Sequence, residues 1–174
     1  MTTMERMFRH CASYKGLGIG AWDTSSVEDM NYMFFWCIGF GADIGAWDTS
    51  SVTDMSYMFD ECALFDSDIG AWDTASVTTM CCMFQGCRTF VGGGIGRWNT
   101  SDVRDMSFMF SLCNAFSSDI GNWDTSSVIR MPCMFQCATA FNHDLSRWNV
   151  SAVLGHRDMF FLTQVPDENR PPFP

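Results

Sequence analysis

Six of the seven tryptophans recur at nearly constant spacing, and this periodicity constrains the fold more than any other feature of the sequence. The intervals between them are 25, 25, 26, 25 and 25 residues. A fixed period of about 20 to 50 residues is typical of arrays in which each repeat packs only against its neighbours. The sequence therefore predicts a single repeat domain over residues 1–165. The tryptophans on this lattice are Trp22, Trp47, Trp72, Trp98, Trp123 and Trp148.

Each repeat, written from its Trp, follows the pattern W-[DN]-[TV]-[SA]-x-V-x-x-M-x-x-M-F-x-x-C-x-x-F. In one unit the apolar residues occupy offsets 0, 3, 6, 7 and 10 from Val77. These offsets share one face of a helix, so we predict a short amphipathic helix here. Residues that suit a helix N-cap stand just before it. These residues are Ser26, Ser51, Ser76, Asp102 and Ser127.

The segment around each Trp is too short for a helix and predicts a brief strand, with Trp72 and Thr74 on one side and Asp73 on the other. Stacked units of this kind predict an α/β repeat with a short parallel β-sheet on one face and short helices on the other. Residues 166–174 are Pro-rich and predict a C-terminal tail. The strands are expected near residues 19–24, 44–49, 69–74, 95–100, 120–125 and 145–150.

Residues 51–59 (SVTDMSYMF), followed by residues 68–74 (DIGAWDT), resemble the BspA-like leucine-rich-repeat surface proteins. The chain is similar to the subtype in which Trp-Asp-Val-Ser precedes Val-x-x-Met-x-x-Met-Phe, over nearly all of residues 1–165. This resemblance implies a right-handed leucine-rich-repeat-like solenoid and a cell-surface protein associated with adhesion. Residues 1–6 show no secretory signal, so the sequence itself does not indicate a compartment.

Charge is unevenly distributed along the chain. Residues 16–87 contain eleven acidic side chains and no Lys or Arg, whereas the rest contains nine acids and ten bases. A net charge of −10 repels nucleic-acid phosphates and anionic lipid surfaces, so we expect a protein partner, with basic proteins among the candidates, and no nucleic acid. No apolar run approaches the roughly 18 residues of a membrane span, and we expect none.

Nothing in the sequence indicates catalysis. The Ser and Asp residues recur with the repeat, whereas an active site needs one unrepeated group of nucleophile, base and orienting residue. The glycines at 92–94 lack the lysine of a phosphate-binding loop. We therefore predict a protein that is not an enzyme, with no catalytic residues and no cofactor.

Nine cysteines raise the alternatives of disulfides or zinc. Five of them recur once per unit on the apolar face, which favours reduced core residues over disulfides, and Ala138 takes this place in the sixth unit. The others lack the doubled Cys-x-x-Cys spacing of a structural zinc site, so we expect no metal ligands among them. The recurring cysteines are Cys11, Cys37, Cys62, Cys87 and Cys113.

The candidate interaction surface is the position directly after each Trp, together with Arg97 and Arg147 before two of the Trps. We call the residues after the Trps the Asx column. Stacked carboxylates repel one another unless backbone amides, a cation or a basic partner share their charge. Three interpretations follow: local Asx turns, a basic protein partner, or calcium held with a second acidic column. The Asx column is Asp23, Asp48, Asp73, Asn99, Asp124 and Asn149, and the second acidic column is Asp43, Asp68, Asp119 and Asp144.

These observations predict a non-catalytic protein-binding module for adhesion or scaffolding, which presents a repeat surface with an acidic N-terminal half. One alternative is a structural subunit that joins a larger assembly through the ends of its array. A second alternative is a calcium-binding surface repeat.

Overall fold

The structure, a computed structural model, describes residues 2–173; Met1 and Pro174, the outermost positions of the predicted domain and tail, lie outside this range. The chain runs through seven coils, each of which follows the repeat of the sequence. One residue near the start of each coil forms a parallel bridge with its equivalent in the next coil, from Thr3 with Asp29 to Arg130 with Gly155. Coils 1 to 7 occupy residues 2–26, 27–51, 52–76, 77–102, 103–127, 128–152 and 153–173.

The predicted α/β architecture is wrong. Residues 2–173 contain no α-helix and no β-strand, and their regular elements are the three 3-10 turns Ile19–Ala21, Ile95–Arg97 and Asp167–Asn169. The leucine-rich-repeat-like arrangement of a parallel sheet opposite helices is therefore absent from the described residues. Within this range there is also no helix with the length and apolar character needed to cross a membrane.

Consecutive β-turns replace each predicted helix. In coil 3 the Met58 N–H donates to the Met55 carbonyl at 3.3 Å and the Cys62 N–H to the Phe59 carbonyl at 2.9 Å. The third residues of these turns, Tyr57 and Glu61, have φ angles of 59° and 60°. Because the first and fourth side chains of each turn are both buried, the turns place apolar residues three apart in the core. That spacing also fits one face of a helix, which explains the error.

Two of the five residues predicted as helix N-caps, Ser51 and Ser76, join neighbouring coils instead. Ser51 Oγ donates to the Ser25 carbonyl at 3.0 Å, and Ser76 Oγ donates to the Ser50 carbonyl at 2.9 Å. Each hydroxyl therefore bonds to the preceding coil rather than to the start of a helix.

The six predicted strands, near residues 19–24, 44–49, 69–74, 95–100, 120–125 and 145–150, are not strands either; in each, a turn precedes the Trp and the three residues from the Trp onwards have no regular structure. In coil 2 the Trp47 N–H donates to the Ile44 carbonyl at 3.1 Å. Trp47 and Thr49 are buried and Asp48 is exposed, so the expected alternation occurs without strand pairing. The parallel bridges lie at the position of Asp54, in the segment where a helix was predicted.

Five backbone hydrogen bonds join every pair of adjacent coils. Four alternate N–H groups donate to the next coil, and one N–H of the next coil donates back. The same five bonds recur at all six junctions of the described stack. Between coils 2 and 3 they run from Met30 to Asp54, Tyr32 to Ser56, Phe34 to Met58, Trp36 to Asp60, and Thr53 back to Glu28.

Aromatic side chains stack through the core in continuous columns. Neighbouring indoles, such as those of Trp72 and Trp98, lie 6.4 Å apart with an interplanar angle of 2°. The Trp72 Nε1–H donates to the Ile44 carbonyl of the preceding coil at 3.0 Å. The buried Thr74 hydroxyl donates to the Asn99 carbonyl of the next coil at 2.9 Å. The polar atoms of the inward-facing Trp and Thr columns thus bond across the junctions between coils.

Coil 4 and the C-terminal residues depart locally from the regular repeat. Coil 4 carries one extra residue, and Gly92 and Gly94 accommodate it with φ angles of 86° and 75° before the turn Ile95–Arg97. Residues 166–173, predicted as a tail, form the last part of coil 7: the Leu145 N–H of coil 6 donates to the Asn169 carbonyl at 2.8 Å, and Phe173 stacks on His156 within coil 7 at 3.8 Å.

Candidate functional site

All eight predicted site residues are exposed. The six residues of the Asx column follow the Trp side chains of the lattice, five of which are buried, and Arg97 and Arg147 precede two of the buried ones. Side-chain hydrogen bonds from the buried Thr hydroxyls to the Asx backbone carbonyls of the next coil keep this column in register. The structure therefore places the candidate residues in one row along the stack.

Each residue of the Asx column closes a local turn through its side-chain oxygen. Asp48 Oδ1 accepts the Ser50 N–H at 3.0 Å and the Ser50 hydroxyl at 2.6 Å. Asn99 and Asn149 accept the amide two residues ahead in the same way, each at 3.1 Å. The Asx-turn interpretation of this column is confirmed. Because Asn makes the same bond as Asp, the turn does not require a negative charge.

Hydrogen bonding also keeps three of these carboxylates ionised. The Ser25 hydroxyl and then its backbone amide lower the pKa of Asp23. Ser50 lowers the pKa of Asp48 in the same order, while slight burial and the negative charge of Asp23 act in the opposite direction. The Ser126 hydroxyl and amide likewise lower the pKa of Asp124. Asp23, Asp48 and Asp124 therefore carry negative charge at neutral pH.

The second acidic column forms another set of Asx turns. Asp43 Oδ1 accepts the Gly45 N–H at 3.1 Å, and Asp68 Oδ1 accepts the Gly70 N–H at 2.9 Å. These two carboxylates lie in a groove of about 750 Å³ across coils 1 to 4, which we call the acidic groove. Its lining residues are Gly20, Asp43, Gly45, Ala46, Asp68, Gly70, Ala71, Gly94 and Arg97.

Close packing between coils requires the glycines of the acidic groove. A Cβ atom at Gly20 would lie 2.5 Å from the Asp43 carbonyl oxygen, and one at Gly45 would lie 2.6 Å from that of Asp68. Such contacts are far shorter than van der Waals separation, so side chains are excluded from this floor. The glycines that allow the coils to pack closely therefore also leave the backbone of the groove accessible.

A second groove, of about 240 Å³, occupies the equivalent place in coils 5 and 6. Asp119 and Asp144 correspond to the carboxylates of the acidic groove, but His143 and Arg147 lie beside them. The two grooves share their turns, and each contains two carboxylates and one arginine; the second is smaller and also contains His143. Of the two predicted arginines, Arg97 therefore borders the acidic groove and Arg147 the second groove.

The recurring cysteines are free thiols. Cys37, Cys62, Cys87 and Cys113 are buried as predicted, and each donates to the carbonyl of a Phe in the preceding coil, at 2.8 to 3.0 Å. Burial raises the pKa of Cys37 to about 11. Cys11 is exposed, against expectation, because no coil of the described structure precedes it. Within residues 2–173 no three His, Cys, Asp or Glu side chains are grouped closely enough to hold a metal ion.

The sequence interpretation overlooked a third set of Asx turns. Asp29, Asp54 and Asp105 each accept the amide two residues ahead, at 2.7 to 2.9 Å. The signal was available, since each is followed two residues later by Asn31, Ser56 or Ser107, as the Asx column is followed by small polar residues. Asp105 also pairs with Arg130 Nε at 2.8 Å in the next coil.

Fold and surface together define a repeat protein of stacked β-turn coils, with rows of Asx turns exposed to solvent. Residues 2–93 and residues 91–169 both match the family described as "Mycoplasma protein of unknown function, DUF285". The chain belongs to this family. No curated protein and no solved structure matches this chain.

Proposed function

We propose that this chain is a non-catalytic binding module that holds a basic segment of a partner protein in the acidic groove. The observation that carries this proposal is the groove itself, in which Asp43 and Asp68 lie above an open glycine floor. The absence of side chains on the floor lets an extended segment approach the backbone. Carboxylates near the cationic groups of that segment favour Lys or Arg over other residues.

The distribution of charge around the acidic groove also favours a basic partner. Seven of the nine lining residues, including both carboxylates, fall in the part of the chain, residues 16–87, that contains eleven acids and no bases; Gly94 and Arg97 lie beyond it. Exposed charges act additively over distances comparable to the Debye length, so the Asx column beside the groove adds to its attraction. Arg97 borders the groove at coil 4, which gives a bound segment a preferred position along the row.

We further propose that this binding serves adhesion or scaffolding. The support is the resemblance of residues 51–59 and 68–74 to the BspA-like surface proteins. Repetition of the same turns from coil to coil suits such a role, because a repeated surface can contact an extended partner at several equivalent places.

The test removes charge from the acidic groove without removing its turns. In the double variant Asp43→Asn/Asp68→Asn, the amide oxygens can still accept the Gly45 and Gly70 amides, as Asn99 does in its own turn. Affinity for a short fluorescent oligoarginine peptide, measured by anisotropy, is expected to fall roughly fivefold. The thermal unfolding midpoint is expected to stay unchanged.

The matched control is Asp119→Asn/Asp144→Asn, which changes the net charge equally in the second groove. Its affinity for the peptide is expected to remain close to that of the wild type. Equal losses in the two double variants would mean that the peptide responds only to net charge, and the proposal for the acidic groove would be abandoned.

A further inference from the structure

The outer faces of the first and last coils carry complementary unused backbone groups. Within residues 2–173, four carbonyls of coil 1 accept no hydrogen bond and four N–H groups of coil 7 donate none. These are the groups that form the four forward bonds at every junction inside the stack. The carbonyls belong to Thr3, Glu5, Met7 and Arg9, and the N–H groups belong to His156, Asp158, Phe160 and Leu162.

The groups that form the fifth bond of each junction are also complementary at the two outer faces. Inside the stack it runs back from the next coil, as from the Thr53 N–H to the Glu28 carbonyl at 2.8 Å. At the outer faces the equivalent groups are the Thr2 N–H and the Leu154 carbonyl, which have no partner within the described residues. A coil 1 placed on a coil 7 would therefore complete all five bonds.

Charges in the same positions are also complementary. Glu5 and Arg157 occupy equivalent positions of the first and last coils, and so do Arg6 and Asp158. The order is acid then base in coil 1 and base then acid in coil 7. Each pair currently bonds only to itself, with Arg6 Nε 3.2 Å from Glu5 and Arg157 Nε 3.2 Å from Asp158.

Side chains at equivalent positions of adjacent coils do contact one another in this fold. Arg130 Nε lies 2.8 Å from Asp105 Oδ2, and these residues bridge between coils 5 and 6. The rings of Tyr32 and Tyr57, which share their position with Arg6 and Asp158, stack at 4.4 Å. Stacking coil 1 on coil 7 would thus bring the opposite charges into contact.

Apolar surface is concentrated on the same two coils. Trp22 is 37% exposed in coil 1, whereas the other Trp side chains of the lattice are at most 4% exposed. In coil 7, Phe161 is 52% and Leu162 is 60% exposed. The face of coil 7 also contains a depression of about 600 Å³, which Phe160 and Phe161 help to line. Joining the two faces would remove much of this area from water.

We propose that a second copy of this chain stacks head to tail on the first, with its coil 1 on coil 7 of its neighbour. Arg6 then faces Asp158, and Glu5 faces Arg157, across a junction with the same five backbone bonds as those inside the stack. Because such a contact joins two different faces, it leaves one face of each type unoccupied and extends into a linear assembly. The grooves lie on the side of the stack and stay accessible, so this inference does not depend on the proposed function.

The test uses sedimentation equilibrium of the 174-residue chain and of two charge-reversed variants. The wild type is expected to associate with rising concentration. Arg6→Glu places like charges against Asp158, and Asp158→Arg places like charges against Arg6, so each variant alone is expected to associate at least about tenfold more weakly. An equimolar mixture of the two is expected to regain association, because each reversed face then meets an opposite charge.

The control is Arg88→Glu, an equal change of charge at an exposed residue of coil 4, which is expected to associate like the wild type. Circular dichroism checks that each variant folds; if a reversal disturbs the fold, Arg6→Gln and Asp158→Asn replace the reversed pair, and both are expected to weaken association. A wild type that stays monomeric, variants that associate unchanged, or a mixture that fails to regain association would each overturn the proposal.

Discussion

The interior coils and the end coils share a Phe at one core position, yet these equivalent residues differ in exposure. Phe84 in coil 4 is fully buried and stacks against a Phe from each neighbouring coil, at 5.7 Å on both sides. Phe8 in coil 1 has such a neighbour on one side only, Phe34 at 5.5 Å. A residue of this repeat is therefore stabilised by adjacent coils more than by its own coil, as nearest-neighbour stacking requires.

The largest test of this comparison is truncation of the Phe column. Phe84→Ala is expected to lower the free energy of unfolding by about 3 to 5 kcal/mol, because it opens a cavity bordered by two coils. Phe8→Ala, which borders one coil, is expected to lower it by about half as much. Urea unfolding monitored by circular dichroism measures both values. Equal losses would contradict the dependence on neighbouring coils.

The buried carboxylate of Asp60 provides a second test of the interior coils, because its burial is unfavourable. Burial, and to a lesser extent the charge of Glu61, raises the pKa of Asp60 to about 7, and Asp60 Oδ1 has no hydrogen-bond partner. The folded chain then binds a proton that the unfolded chain has released, so the free energy of unfolding falls as pH rises from about 4 to 7.

Asp60→Asn removes the charge that causes this loss. Above pH 7 the variant is expected to be more stable than the wild type by about 1 to 3 kcal/mol, and the difference is expected to shrink towards pH 4. Urea unfolding of both proteins across this range measures it. A difference that does not change with pH, or that grows as pH falls, would show that the Asp60 carboxylate is solvated in the folded protein.

The smallest contrast concerns the indole hydrogen bonds. Trp72→Phe deletes the bond from Nε1 to the Ile44 carbonyl and is expected to cost about 1 kcal/mol. Trp22 is more than one-third exposed and its Nε1 bonds to no described residue, so Trp22→Phe is expected to cost less than about 0.5 kcal/mol. Thermal unfolding of the two variants side by side measures this difference. A larger loss at Trp22 would contradict the contrast between interior and end coils.

How far the sequence predicts this fold is clear from single residues. The spacing of Trp72, Thr74 and their equivalents correctly indicated which side chains are buried and that neighbouring repeats stack. It did not reveal that Met80 and Phe84 lie on turns. Their N–H groups donate to coil 5 rather than to a residue four positions back, and local spacing carries no information about partners 25 residues away.

The candidate surface was predictable where it depended on local chemistry. Asp48 followed by Ser50 is sufficient to indicate an Asx turn, and the structure confirms it. The acidic groove was not predictable, because it forms where Asp43 and Asp68 of adjacent coils meet the glycine floor. The complementary charges of Glu5-Arg6 and Arg157-Asp158 were visible only by aligning the first unit with the last.

The identical sets of five bonds at every junction bear on how a chain of this kind can change in length during evolution. Removal of residues 52–76 would join Ser51 directly to Val77, and a Ser already precedes Val77 in the present sequence. Coil 2 would then pack against coil 4 with the same donors and acceptors that it now uses for coil 3. Tandem duplication of the same segment is equally neutral for the hydrogen-bond pattern. Gain or loss of DNA encoding whole coils therefore preserves the fold, whereas a deletion of part of a coil shifts every later residue out of its column.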